Sequence, residues 1–144
     1  MEIEDIIREI DEKLKIIKKT TEEKTLNIYC QRTSETEKCP CCGNESNKRH
    51  SRYHREIADL PIGPYKVKLV IEMSKYTCEN AKCGQKRFAE QLPFAGERSK
   101  RTYRLDEYIR EIGLSNSSVE AEKIIRRTHA DISWKTILRV IKKS

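Results

Sequence analysis

Cys39-Pro40-Cys41-Cys42-Gly43 and Cys78-Glu79-Asn80-Ala81-Lys82-Cys83 decide how this chain folds. Cys39 with Cys42 is a C-x2-C knuckle, and Cys78 with Cys83 is a C-x4-C knuckle. Four thiolates in two knuckles suit the tetrahedral all-sulfur shell of a structural Zn2+, with no position left open for chemistry. Gly43 directly after the first knuckle fits the tight turn that aims two sulfurs at one metal. The rival reading is a pair of disulfides, which requires an oxidising compartment. No signal peptide precedes the cysteines, and Met1-Glu2-Ile3-Glu4-Asp5 is acidic rather than basic and then apolar, which favours one zinc ion. Cys41 is expected to be a bystander thiol and Cys30, inside a strand pattern, a small buried hydrophobe.

The charge pattern points outward from this centre. Of 144 residues, 37% are charged and 36% apolar, so the core is thin and a metal staple compensates for it. The net charge of +7 is unevenly spread. Residues 1–37 carry 7 basic and 10 acidic side chains, 38–95 carry 11 and 6, and 96–144 carry 12 and 7, giving −3, +5 and +5. A basic middle and C-terminal part suits a polyanion, and duplex DNA is the expected partner. No run approaches the ~20 apolar residues of a membrane span. A cytoplasmic protein, on the nucleoid when bound to DNA, is expected.

Before the first knuckle, Ile3, Ile6, Ile7, Ile10 and Leu14 recur at helical spacing, predicting a helix over residues 3–14. A hairpin of Leu14–Lys18 with Leu26–Cys30 follows, and residues 32–38 read as loop. Between the knuckles, Arg49–Ile57 is a basic strand candidate and Asp59–Pro64 a turn, by its two prolines and glycine. Tyr65–Cys78 has the alternation of a half-buried strand, and Lys86–Glu90 leads back across the sheet. An α+β fold is predicted: an antiparallel, zinc-ribbon-like sheet over residues 1–95, then a three-helix helix-turn-helix unit over residues 96–144.

In that second unit the first helix follows the basic run from Arg98 and is capped by Gly113. Ser117-x-x-Glu120 is a capping box opening the second helix, which runs to about Thr128. Ser133 caps the third, Trp134–Lys143. The third helix of a helix-turn-helix lies in the major groove. Lys135, Thr136, Arg139 and Lys142, with Lys143, would face the bases. Arg98, Lys100, Arg101 and Arg104 form a candidate phosphate clamp, and Arg49, Arg52 and Arg55 a second basic set. His129 falls where the turn commonly has glycine. No phosphate loop, nucleophile elbow or H-E-x-x-H occurs, and the three histidines are too scattered for catalysis, so no enzyme is expected. His50 or His54 is a substitute ligand should one cysteine not serve. A protein-interaction module is the alternative to a DNA-binding one.

Several stretches together resemble the N-terminal region of insertion-sequence transposases of the ISL-three family. They are Cys39-Pro40-x-Cys42-Gly43, Arg49-His50-Ser51-Arg52-Tyr53-x-Arg55 and Asp59-Leu60-Pro61, followed by Cys78-x-Asn80 with Cys83, and Phe88-Ala89-Glu90. Arg98, Arg101-Thr102, Arg104-Leu105 and Ser133-x-x-Thr136-Ile137-Leu138-Arg139 complete the likeness, which covers residues 39–141. It implies a zinc domain and a helix-turn-helix that together recognise the element's terminal inverted repeats. The RNase H-like catalytic domain of such transposases comes after these parts, so a DNA-recognition half without the nuclease is expected. It would be a truncated or domesticated transposase, pairing with itself or with a full-length transposase, or regulating the latter, and taking no small-molecule substrate.

Overall fold

The computed structural model describes residues 3–128 and 132–142. Its longest element pair is a hairpin, Arg49–Ile62 with Tyr65–Thr77. Counting strands in chain order, these are β5 and β6. They follow helix α1 (Ile3–Ile10), β1 (Leu14–Glu22), β2 (Thr25–Arg32), and the two-residue strands β3 (Glu37–Lys38) and β4 (Glu45–Ser46). Beyond β6 come β7 (Arg87–Ala89), α2 (Tyr103–Ser115), α3 (Ser118–Thr128) and α4 (Trp134–Lys142).

Alternation in β6 buries Val67, Leu69, Ile71 and Met73 on one face, as the period-2 pattern requires. Leu26, Ile28 and Cys30 of β2 and Ile57 of β5 join them, and Ile7 of α1, Leu92 and Phe94 close over the same face. Asp59–Ile62 is therefore strand rather than turn, and only Gly63 and Pro64 make the bend. The N-terminal helix stops at Ile10, earlier than expected, because Asp11 turns the chain and Leu14 already pairs with Arg32 in β1–β2. That hairpin closes through Glu23-Lys24, with Glu23 at φ 54°.

The sheet is mixed, which corrects the antiparallel expectation. Its order is β1-β2-β6-β5, with β2 running parallel to β6 and β7 continuing along the same edge of β6. Thirteen residues make β6 too long for the ribbon alone. Its Cys78 end pairs with β7, and its Tyr65 end leaves an open edge whose apolar row matches that of β2. The N-terminal segment and the ribbon are thus one sheet rather than neighbours.

The helices α2, α3 and α4 enclose a second core of Leu105, Ile109, Ala121, Ile125, Ile137 and Val140. Thr102 caps α2 by accepting from the Leu105 N–H, so the helix starts at Tyr103 and the basic run before it is loop. Gly113 is not the cap: α2 continues to Ser115 with Asn116 as C-cap. A Cβ on Gly113 would lie 2.7 Å from Ile141 Cδ1 and 3.0 Å from Ile137 Cγ2, so this glycine lets α2 and α4 approach closely. Ser117 accepts from the Glu120 N–H at 3.2 Å and Ser133 from the Thr136 N–H at 3.3 Å, which are the two caps expected. His129, the expected turn position, and Lys143 lie outside the described residues.

The helices dock on the far end of β5. Ala58 N–H donates to Lys100 O, and Thr102 N–H donates to Ala58 O. Beside them the buried Asp59 carboxylate accepts from the Thr102 hydroxyl at 2.7 Å and from Nε of Arg104 at 2.8 Å, with Arg104 Nη2 as its third donor. Ala58 and Leu60 pack onto the helical core beside this joint.

Candidate metal centre and basic cleft

Both knuckles hang from strand ends. β3 and β4 pair across Cys39–Asn44 as a small hairpin, and β6 ends one residue before Cys78. Cys39 N–H bonds Asn44 O, Gly43 N–H bonds Cys39 O, and Gly43 takes φ 77°, which curls the first knuckle round its sulfurs. Tyr76 and Phe88, stacked with ring centroids 5.7 Å apart, form the apolar floor against which Cys39 is buried.

Sγ of Cys39 lies 3.8 Å from that of Cys83, and Sγ of Cys42 lies 3.6 Å from that of Cys78. All four sulfurs fall within 4.8 Å of one another. A tetrahedron with Zn–S bonds of about 2.3 Å has edges of about 3.8 Å, so the donor set fits one Zn2+. Cys41 is exposed and outside the set, Cys30 is buried in the sheet, and neither His50 nor His54 joins the four. None of the six cysteines is joined in a disulfide.

Local amides tune the donors. The backbone N–H of Asn44, then the Asn80 side chain, lower the Cys42 thiol to about 6. The Asn80 N–H favours the Cys78 thiolate, yet burial and the neighbouring sulfurs leave Cys78 raised. At Cys83 the Gln85 N–H acts the same way and is outweighed by burial and by Cys41, Cys39 and Cys42, which push it up to about 12. The three amides belong to residues two positions beyond each cysteine, so the knuckle turns themselves supply them. Sulfurs this close cannot all be thiolates without a cation between them, and a divalent metal reverses that balance.

Residues 35–87 match the family described as the zinc-finger of transposase IS204/IS1001/IS1096/IS1165. The ribbon is of the ISL3 transposase type. Over 98 residues the chain is 33% identical to a transposase for insertion sequence element IS1001 from Bordetella parapertussis, a stretch making up 68% of this chain and 23% of that relative. The chain spans about a quarter of the relative it matches. No solved structure matches it. The chain is thus similar to the N-terminal region of an ISL3-family transposase, and the ISL3-type ribbon together with its four-cysteine cluster supports a structural Zn2+.

A cleft of about 890 Å3 opens where the loop before α2 faces α4. Arg98, Lys100, Arg101, Thr136 and Arg139, drawn from two separate sequence stretches, all line it. Arg101 is held by Asp106 at 2.5 Å, and the Thr136 hydroxyl lies 3.2 Å from the Ser133 cap. Arg98, Lys100 and Arg139 are exposed and make no ion pair among the described residues. Lys135, near the Trp134 ring, and Lys142 are exposed on α4 outside the cleft lining.

The other basic side chains of the predicted set are engaged by the chain's own groups. Arg104 is bound to Asp59. Arg55 donates to the carbonyls of Gly96 and Ser99, which hangs the basic loop from β5. Arg49 donates to Ser34 O, and Arg52 pairs with Glu72. Two cleft residues escaped the sequence reading: Tyr103, 57% exposed, and Arg110, one α2 turn beyond Asp106 and Glu107. Their i, i+3/i+4, i+7 spacing along α2 was the available signal. A third omission is Arg32, whose buried side chain is bonded to Asp11, Glu37 and Glu90 at once, tying the helix–hairpin corner to the first knuckle and to the loop after β7.

Among the described residues no helix is long and apolar enough to cross a membrane.

Proposed function

We propose that the chain is a zinc-stabilised, sequence-specific duplex-DNA-binding unit, the part of an ISL3-type transposase that recognises the element's terminal inverted repeats. In this reading residues 96–144 form a helix-turn-helix and α4 enters the major groove. The observation that carries it is the convergence of Arg98, Lys100 and Arg139, all exposed and free of ion pairs among the described residues, on one open cleft with Arg110 and Tyr103. A cleft between a cationic loop and one side of α4 suits a phosphate strand lying beside a groove-bound helix. Arg104, Arg55 and Arg49 act as positioning residues, holding the loop and sheet that present those cations. The part spanning residues 1–95 and its Zn2+ keep β5 rigid beneath the helices, and the chain works on the nucleoid.

The test is selection of bound sequences from a random duplex pool by the zinc-loaded chain, followed by affinity measurements at several salt concentrations. Arg139→Ala is expected to relax the preferred sequence at one position, with a loss of about 1–3 kcal/mol. Arg98→Ala or Lys100→Ala is expected to weaken all duplexes alike and lower the salt slope by about one. Failure to enrich any sequence, or an affinity indifferent to salt, would overturn the proposal.

A further inference from the structure

At the opposite end of β5 from the helices, a second groove of about 330 Å3 is lined by His50, Ser51, Lys75, Gln85, Arg87, Phe88 and Ala89. It differs from the helical cleft in having no carboxylate in its lining; the larger cleft has Glu97, Asp106 and Glu107. Lys75, Arg87 and His50 are exposed, and none makes an ion pair among the described residues. The Lys75 ammonium lies 5.5 Å from the centre of the Tyr53 ring, a cation–π contact. Three cationic or titratable side chains around an acid-free polar hollow form a site for phosphate oxygens.

The sheet fixes where that site lies relative to the helical cleft. Strand alternation puts Ser51, Tyr53 and Arg55 on one face, and Arg55 on that face holds the Gly96–Ser99 loop at the mouth of the cleft. Register pairs Ser51 with Lys75, and Lys75 with Ala89 two residues from Arg87, so these groove residues stand on the Arg55 face, with the covered core at Tyr53 and Ile57 lying along it. From Ser51 to Ala58, where Lys100 is bonded, β5 extends about 23 Å at ~3.3 Å per residue. That distance is about seven base pairs of duplex.

We infer that the groove of His50, Lys75 and Arg87 is a second phosphate-backbone contact for the same duplex, set by β5 about seven base pairs from the contact made by the helical cleft. The inference rests on the duplex-binding reading above. Its ligand is the sugar–phosphate backbone, which cationic side chains in an acid-free groove attract whatever the sequence. Because β5 is pinned by zinc-site packing at one end and by Asp59 with Arg104 at the other, the spacing is a property of the fold.

The experiment uses the full zinc-loaded chain and a duplex selected by it, shortened one base pair at a time from each end. Affinity is expected to fall in one step when shortening from one end removes the distal phosphates, about seven base pairs from the core site. Lys75→Gln with Arg87→Gln is expected to abolish that step and lower the salt slope by about two, leaving the preferred sequence unchanged. Lys75→Arg with Arg87→Lys, which keeps both charges, is expected to retain the step. Both positions are exposed, so a melting curve matching that of the unsubstituted chain confirms that folding is unaffected. A chain that binds duplex with the same salt slope and the same length dependence after the glutamine substitutions refutes this inference alone. A chain that binds no duplex refutes the duplex reading and this inference with it.

Discussion

Asp59→Ala offers the sharpest probe of how the helices are held on the sheet. The carboxylate is 2% exposed and Arg104, its main partner, 37%. Substitution removes one hydroxyl bond from Thr102 and two guanidinium bonds from Arg104. A hydrogen bond to a charged group, as all three are, contributes about 1.5–3 kcal/mol. Water reaches more than a third of the Arg104 side chain and replaces part of what is lost there, so the guanidinium pair counts for about 2 kcal/mol in total. With about 1.5 kcal/mol from the Thr102 bond, the expected loss is about 3.5 kcal/mol. For a chain of this size that lowers the melting temperature by roughly 7–14 °C. Arg104→Ala is at least as costly, because it strands a buried carboxylate. The assay is thermal denaturation of the zinc-loaded chain followed by circular dichroism, for both single variants and the double. Since the two side chains act as one unit, the double variant should fall short of the summed losses by about 2 kcal/mol. Single-variant losses that add to within about 0.5 kcal/mol, or an Asp59→Ala melt within 2 °C of the parent (on the order of 1 kcal/mol or less), would refute the joint as drawn.

Zinc affinity should rise with pH between about 6 and 8, because the protons held by Cys78 and by Cys83, the latter raised to about 12, must leave before both can bind metal. Below about 6 the Cys42 thiolate also gains a proton and the fall steepens; chelator competition across this range checks the sign, and a flat profile would contradict the thiolate assignment. In Gly113→Ala, the helix-propensity gain of up to about 1 kcal/mol competes with overpacking of about 1–3 kcal/mol. The Ile141 methyl can swing aside but the branched Ile137 methyl is locked in the core, so a net loss of about 1 kcal/mol is expected in urea unfolding, and a gain would disprove the close approach of α2 and α4. Arg32→Ala leaves Asp11, Glu37 and Glu90 around a vacated buried position and should cost about 3–5 kcal/mol in the same assay. A loss below about 1 kcal/mol would mean that the network does not hold the ribbon to the sheet.

The metal centre was legible because thiolate chemistry writes itself into spacing: two short knuckles leave few alternatives for four sulfurs. Strand β6 and the two serine caps were legible for a similar reason, being local patterns whose partners lie within a few residues. The parallel pairing of β2 with β6 was not, since each strand shows only its own alternation and nothing in it names a partner. Gly113 misled because a glycine near a helix end reads as a cap, and only packing against Ile137 and Ile141 distinguishes a cap from a contact. The basic residues divided along the same line. Composition marks Arg104 and Lys100 alike, but a buried acid 45 positions upstream of Arg104 takes the one inward and leaves the other in solvent.

The parallel pairing also sets a timetable for folding. Thr25 pairs with Lys66, so closing this part of the sheet joins residues 41 positions apart. The hairpin β5–β6 and the ribbon knuckles form from much nearer neighbours and come first on topological grounds. Helix α1 and the β1–β2 hairpin leave the ribosome before β6 and must wait, with Leu26 and Ile28 uncovered, until the edge of β6 exists to receive them. In that interval a nascent chain is most open to mispairing with a second copy, and the lysines along β1 are its main protection.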